Sequence, residues 1–193
     1  MKKMLLHYYE QGLASWILFT PLVASFFALP LLFEGAEMAA YLILSISITA
    51  LCAVYLDQRE SQLVMTSLFP ISRKTFLVLD LSFTGRYTFY YILYTLAAFS
   101  IIQTLLKQQL VWPSVKQLFL SFAISFVIIA FYLLIRHSKY GKNIFIFVIP
   151  LAFPLLFSFI DRLSTLHSVI LFLGSLLLII FVAILTYFRE NWR

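Results

Sequence analysis

Long apolar runs are the feature of this sequence that most limits its fold. Six of them have the length of roughly 20 residues that a helix needs to cross about 30 Å of hydrocarbon. Backbone groups in lipid must form hydrogen bonds within their own segment, and these continuous runs lack the alternation of barrel strands. The sequence therefore predicts an all-α integral membrane protein with six transmembrane helices, at about residues 14–33, 39–56, 87–106, 115–135, 143–160 and 168–188.

Composition agrees with lipid as the main solvent. The chain is 63% hydrophobic and 11% charged, whereas soluble domains carry about 25% charged residues. Its mean hydropathy is +0.98. The net charge of +6 would suit nucleic acid, but the cations are scattered between apolar runs and form no basic stripe. We therefore expect no nucleic-acid partner, and a single transmembrane domain over residues 1–193.

The distribution of lysine and arginine predicts the orientation. With the N-terminus in the cytoplasm, 11 of the 14 cations lie inside and only Lys107, Lys116 and Arg162 lie outside. Cytoplasmic loops carry the excess of positive charge in membrane proteins. Both termini are therefore predicted to be cytoplasmic. Residues 14–33 are longer than the apolar region of a typical signal peptide, so we expect them to be retained as the first span.

One connection, residues 57–86, is much longer than the others. Within it, residues 61–69 are predicted to form a short helix with Val64 and Leu68 on one face. Pro70 ends that helix. Ser72 is a good N-cap for a second helix that begins at Arg73 and continues through the third span. Gly85 is the natural place for a bend between the interfacial part of that helix and the span.

The residues alone leave two interpretations of this connection open. In one, it is an amphipathic segment that lies on lipid headgroups, with Arg73 and Lys74 meeting anionic lipid. In the other, it is a cytoplasmic segment that receives force from a partner protein.

The motif at the centre of this connection resembles a known family. The run Leu68-Phe69-Pro70-Ile71-Ser72-Arg73-Lys74 is similar to the L-P-[IV]-S-R-K signature that follows the second span in permease subunits of type-2 ABC exporters. The six-span layout and the interior termini also resemble that family. Phe69 stands where the family has leucine, and the lysine often found about eight residues past the S-R-K is absent.

The resemblance implies a partner that supplies energy. Residues 60–69 would form a coupling helix that docks into a groove on an ABC ATPase subunit. Two ATPases and a second permease subunit, as a homodimer or heterodimer, would complete the complex in a bacterial cell membrane. ATP and Mg²⁺ would bind the partner, with no cofactor on this chain. The implied ATPase-contacting residues are Arg59, Glu60, Gln62, Val64, Leu68, Phe69, Ser72, Arg73 and Lys74.

The sequence lacks the motifs by which a transporter would drive its own pumping. The sequence has no G-x-x-x-x-G-K-[ST] run for nucleotide phosphates. Its acids lie in connections or at span ends, whereas ion-driven pumps carry acids inside their spans. His7, His137 and His167 occur in no metal-ligand or catalytic pattern. We therefore expect no metal site and no enzymatic activity on this chain, and pumping would depend on a partner.

Two helix faces are candidate pathway or packing surfaces. Ser45, Thr49 and Cys52 share a face of the second span, where small residues usually indicate close helix packing. The third span carries a tyrosine stripe of Tyr87, Tyr90, Tyr91 and Tyr94. We hypothesise that Tyr90 and Tyr94, together with Ser45 and Thr49, line an amphipathic route or a permease–permease interface. Ordinary packing is the alternative for both faces.

The predicted function is that of the transmembrane subunit of an ATP-driven exporter. The apolar and aromatic spans favour an amphipathic or hydrophobic substrate such as a peptide, an antibiotic or a lipid. The alternative is a membrane scaffold or bacteriocin-immunity protein that transports nothing. An intramembrane enzyme would need convergent polar residues in the spans, and the sequence shows none.

Overall fold

A computed structural model describes residues 19–26, 28, 37, 39–53, 73–107, 111–135 and 162–191. Within these residues the regular structure is entirely helical. The predicted fifth span, 143–160, and most of the predicted coupling segment lie outside the described residues. The five described helices are α1 (19–26), α2 (Ala39–Ala53), α3 (Arg73–Lys107), α4 (Val115–Ile135) and α5 (Thr165–Asn191).

Three of these helices are long and apolar enough to cross a membrane, namely Leu81–Leu105, Val115–Ile135 and Thr165–Arg189. They correspond to the third, fourth and sixth predicted spans. The helix α2 occupies the second predicted span, but its described part is shorter than a full crossing. The described structure is therefore that of a membrane-helix protein.

The helix α3 begins at Arg73, where the sequence predicted it to begin after Pro70 and Ser72. It has 35 residues and is therefore about 52 Å long. Its backbone is helical at Gly85 and on both sides of it. Because the candidate span starts at Leu81, residues 73–80 add about 12 Å of helix before it.

The first three helices alternate in direction. Tyr91 of α3 has a side-chain hydrogen bond with Thr20, and Tyr94, one turn later, bonds Ser25. Later residues of α1 therefore contact later residues of α3, so the two helices run parallel. At the beginning of α2, Ala40 packs against Phe99 near the end of α3, so α2 is antiparallel to α3.

The helices α4 and α5 are parallel. The ring of Phe172, in the second turn of α5, lies 5.2 Å from that of Phe119, near the beginning of α4. It also lies 6.1 Å and 5.9 Å from the rings of Phe122 and Phe126. Further along α5, Val182 belongs to the core cluster that contains Ile128 of α4. Both helices consequently begin at the same end of the bundle.

The core is centred on α2. Leu44, Ile48 and Leu51 of this helix are at most 1% exposed. Its partly exposed residues share one narrow face, made of Leu42, Ile46, Ala50 and Ala53. By contrast, α5 exposes a long series of large apolar side chains, including Leu177 and Phe181. Such a surface is unfavourable in water but suits a helix in contact with lipid.

Candidate functional site

The residues predicted to contact an ATPase fall mostly outside the described part of the chain. Arg73 and Lys74 are the first two residues of α3. The ATPase contact therefore stays a prediction. The predicted residues that lie outside the described ranges are Arg59, Glu60, Gln62, Val64, Leu68, Phe69 and Ser72.

The tyrosines of α3 do not share one surface. Tyr90 is 38% exposed, whereas its neighbour Tyr91 is fully buried, and their rings lie 5.8 Å apart. Tyr94 is half-buried, with its hydroxyl 3.3 Å from Ser25 Oγ. Since Ser25 donates its own hydroxyl proton to the Pro21 carbonyl at 2.7 Å, Tyr94 is the donor to Ser25. The deep tyrosine hydroxyl thus joins α3 to α1, and only Tyr90 faces outward.

The small polar face of α2 lies in the protein interior. Ser45 is 3% exposed and donates its hydroxyl to the Leu42 carbonyl at 2.9 Å. Thr49 is 6% exposed, and its hydroxyl has no hydrogen-bond partner in the described structure. Cys52 is buried beside them. Their burial favours the close-packing interpretation of this face over a pathway.

A polar feature that the sequence analysis missed lies at the beginning of α4. Ser114 Oγ accepts a hydrogen bond from the backbone N–H of Gln117 at 3.2 Å, and Gln117 Oε1 accepts one from the N–H of Ser114 at 2.7 Å. This reciprocal pair is a capping box, which satisfies two N–H groups that the helix itself cannot. Gln117 is held in one orientation as a result.

The NH2 group of the Gln117 side chain links α4 to Glu37, which precedes α2. Gln117 Nε2 donates to Glu37 Oε1 at 2.8 Å, and Gln117 is only 5% exposed. The bond joins residues that lie 80 positions apart in the chain. It therefore connects the polypeptide at the beginning of α2 to the N-terminus of α4.

Beside this bond is a small cavity, which we call the α2–α4 polar pocket. Its volume is about 10 Å³, close to the ~10–15 Å³ that one water molecule needs. The hydroxyls of Thr95 and Ser121 are in its lining, both residues are 1% exposed, and neither hydroxyl has a partner in the described structure. The described residues that line it are Glu37, Ala40, Tyr41, Thr95, Leu96, Phe99, Gln117 and Ser121.

The chemistry of the α2–α4 polar pocket is that of hydrogen bonding. It contains a carboxylate, an amide and hydroxyls surrounded by apolar side chains. Over the described ranges, no three His, Cys, Asp or Glu side chains come together as metal ligands. The S-x-x-Q pattern at Ser114–Gln117 is a sequence signal for the capping box. Nothing local in the sequence indicates that Glu37 meets Gln117.

Replacing Gln117 with alanine is expected to lower the stability of the protein by about 1–2 kcal/mol, because the capping box and the Glu37 bond are both lost. In thermal unfolding in detergent, this corresponds to a decrease in Tm of roughly 2–8 °C. Lys116→Ala is the matched control, since a cation in the first turn of a helix does not stabilise it. Gln117→Glu keeps an acceptor for Ser114 but sets a buried carboxylate against Glu37, so a Tm at or below that of Gln117→Ala is expected. An unchanged Tm for Gln117→Ala would contradict this role.

Comparisons with protein-family models, with curated proteins and with solved structures found no match to this chain. Its function has to be inferred from its own residues.

Proposed function

We propose that this chain is the transmembrane subunit of an ATP-driven ABC exporter, powered by a separate ATPase. One observation carries the proposal. The motif Leu68–Lys74 leads directly into a 35-residue helix that begins at Arg73 and continues into the candidate span Leu81–Leu105. A segment that receives force at the membrane surface would thus be joined to a span without a break in the helix.

The length of α3 supports a mechanical role for this segment. Residues 73–80 extend about 12 Å beyond the candidate span. A helix with an uninterrupted ladder of hydrogen bonds moves as one body, so displacement of its first turn also displaces the span. In the proposed mechanism, ATP binding closes two ATPases, the 60–69 segment moves with them, and α3 carries the motion into the membrane.

The directions of the described helices support the six-span topology. The helices α1 and α3 are parallel and α2 is antiparallel, as alternate crossings require. Because α4 and α5 begin at the same end, the chain has to return across the bundle between Ile135 and Thr165. A crossing by residues 143–160 would supply that return.

Charge at the two ends supports cytoplasmic termini. Arg73 and Lys74 at the beginning of α3 lie at the same end of the bundle as Arg189 near the end of α5. The opposite end carries Glu37 together with Lys107, Lys116 and Arg162. With the predicted excess of cations in the connections of the first end, that end would face the cytoplasm.

The exposed face of α3 supports an apolar or amphipathic cargo or a second permease subunit. Phe89, Tyr90 and Leu93 are 54%, 38% and 52% exposed on this helix. A tyrosine hydroxyl in a membrane is stabilised by a polar partner rather than by lipid tails. We propose that Tyr90 faces the translocation route or the permease–permease interface, with Tyr94 behind it against α1, and that the cargo is a peptide, antibiotic or lipid.

Co-purification tests the proposal. An affinity-tagged chain, extracted from its own bacterial host in mild detergent, is expected to retain an ATPase with a G-x-x-x-x-G-K-[ST] motif and to hydrolyse ATP. An unrelated six-span membrane protein with the same tag is the control for adventitious capture. Purification without ATP hydrolysis, even after mild cross-linking, would contradict the exporter proposal and favour a scaffold or immunity protein that transports nothing.

A further inference from the structure

We propose that the α2–α4 polar pocket binds a primary ammonium group, the –NH3⁺ end of a small amine. The inference concerns the ligand chemistry of this pocket and does not depend on whether the chain exports a substrate. It follows from the unpartnered hydroxyls, the charge and the size of the pocket.

Buried serine and threonine hydroxyls in the described structure are of two kinds, with and without a hydrogen-bond partner. A serine or threonine inside a helix can satisfy its hydroxyl by bonding a carbonyl of the preceding turn. Ser125 does so to Ser121 at 2.6 Å, and Thr186 does so to Val182 at 2.8 Å. Thr95 and Ser121 do not, although both are 1% exposed. A buried hydroxyl without a partner costs about 1–3 kcal/mol, so two of them at one cavity indicate a bound group that bonds both.

The charged groups of the pocket select the kind of ligand. Among the lining residues that the structure describes, Glu37 is the one acid and none is a lysine or an arginine. One of its oxygens accepts the Gln117 amide, and the carboxylate has further lone pairs to offer. The capping box fixes Gln117, which in turn fixes the carboxylate. An ionised carboxylate accepts hydrogen bonds only, so the complementary ligand is a cation with N–H donors.

The volume of the pocket and the number of its acceptors fit an ammonium group. A cavity of about 10 Å³ holds a group about as large as one water molecule, and an ammonium group is of that size. Its three N–H donors match three acceptors, namely Glu37, Thr95 and Ser121. Ca²⁺ needs six to eight oxygen ligands and Mg²⁺ near-ideal octahedral geometry, so this set does not suit them. The cavity is partly open, which leaves room for the carbon chain of an amine.

The apolar part of the lining makes the proposed bonds stronger. Ala40 and Phe99 are 8% and 6% exposed, and with Leu96 they surround the polar groups. Charge-assisted hydrogen bonds gain strength where water is excluded, because the local dielectric constant is lower.

The test is thermal unfolding of the purified chain in detergent, followed by tryptophan fluorescence, with increasing methylammonium chloride. A saturable rise in Tm is expected, of roughly 3–6 °C at ten times the Kd. Sodium chloride and tetramethylammonium chloride at equal ionic strength are the controls, since neither cation has N–H donors. An equal rise with either salt, or no rise with methylammonium, as when only water fills the cavity, would overturn the proposal.

Substitutions of the pocket hydroxyls test whether methylammonium binds at this site. Thr95→Val is expected to weaken methylammonium binding about tenfold, because one hydrogen bond is lost. Ser121→Ala should act in the same way. Thr88→Val is the matched control, because Thr88 is a buried threonine of the same helix whose hydroxyl also lacks a partner in the described structure, but which lies outside the lining. Valine removes a buried hydroxyl that has no partner, so Thr88→Val is expected to be neutral or stabilising for folding. Unchanged binding by Thr95→Val and Ser121→Ala would refute the assignment.

Discussion

In the exporter proposed above, replacing Gly85 with proline is expected to abolish ATP-driven transport while leaving the ATPase bound. Gly85 lies inside α3, between residues 73–80 and most of the candidate span. Proline removes one backbone hydrogen bond and clashes with the carbonyl four residues earlier, at a cost of about 3 kcal/mol. The resulting kink would separate the motion of the first turns from that of the span. The coupling segment itself is unchanged, so binding of the ATPase should persist.

Gly85→Ala is the matched control for this variant. A Cβ at Gly85 meets nothing within 4 Å, so alanine fits without displacement of any neighbour. Alanine should stabilise the helix by about 0.5–1 kcal/mol relative to glycine and leave transport at the native level.

The measurement is ATP-dependent accumulation of a fluorescent amphipathic peptide in inside-out vesicles, with bound ATPase quantified in the same preparation. We expect at least a tenfold loss of transport for Gly85→Pro, which corresponds to about 1.4 kcal/mol or more of lost coupling. Native-level transport by Gly85→Pro would show that force does not pass along α3.

The helices with clear end signals were predicted well from the sequence. The prediction for residues 115–135 has the bounds of α4, because Pro113 and Ser114 precede a continuous apolar run. The beginning of α3 at Arg73 was also predicted correctly, from the proline and serine before it. In both cases the signal is local, so hydropathy and capping chemistry are sufficient.

The two bounds of α5 were predicted less accurately. The apolar run suggested 168–188, but the helix extends from Thr165 to Asn191. Ser164 is its N-cap, since Ser164 Oγ accepts a hydrogen bond from the N–H of His167 at 3.4 Å and lies 2.6 Å from His167 Nδ1. Hydropathy shows where a helix is apolar, whereas capping residues determine where it begins.

The α2–α4 polar pocket could not be predicted because it depends on contacts between distant residues. Glu37 and Gln117 are joined only when α2 packs beside α4. The tyrosines of α3 show the same limit, since a run of Tyr90 and Tyr91 gives no indication of which one faces α1. Local patterns predict helices and caps, but they do not predict which faces meet.

In the proposed exporter, replacing Leu68 with aspartate is expected to remove the ATPase from the purified complex and to stop transport. Leu68 lies in the predicted coupling helix, on the same face as Val64. If this face fills an apolar groove on the ATPase, aspartate leaves an unpaired charge there, which costs on the order of 3–5 kcal/mol. This cost weakens binding roughly 10²- to 4 × 10³-fold.

Thr66→Asp is the matched control, because Thr66 lies on another face of the same predicted helix and introduces the same charge. It should retain the ATPase, which also controls for a general effect of acid at a membrane surface. Both variants are compared by tagged purification, with the bound ATPase measured by ATP hydrolysis per mole of chain. If Leu68→Asp retains the ATPase as well as Thr66→Asp does, residues 60–69 do not dock in the proposed orientation. Loss of binding by Leu68→Asp together with retained binding by Gly85→Pro would separate attachment of the ATPase from transmission of its motion, because the two changes act before and within α3.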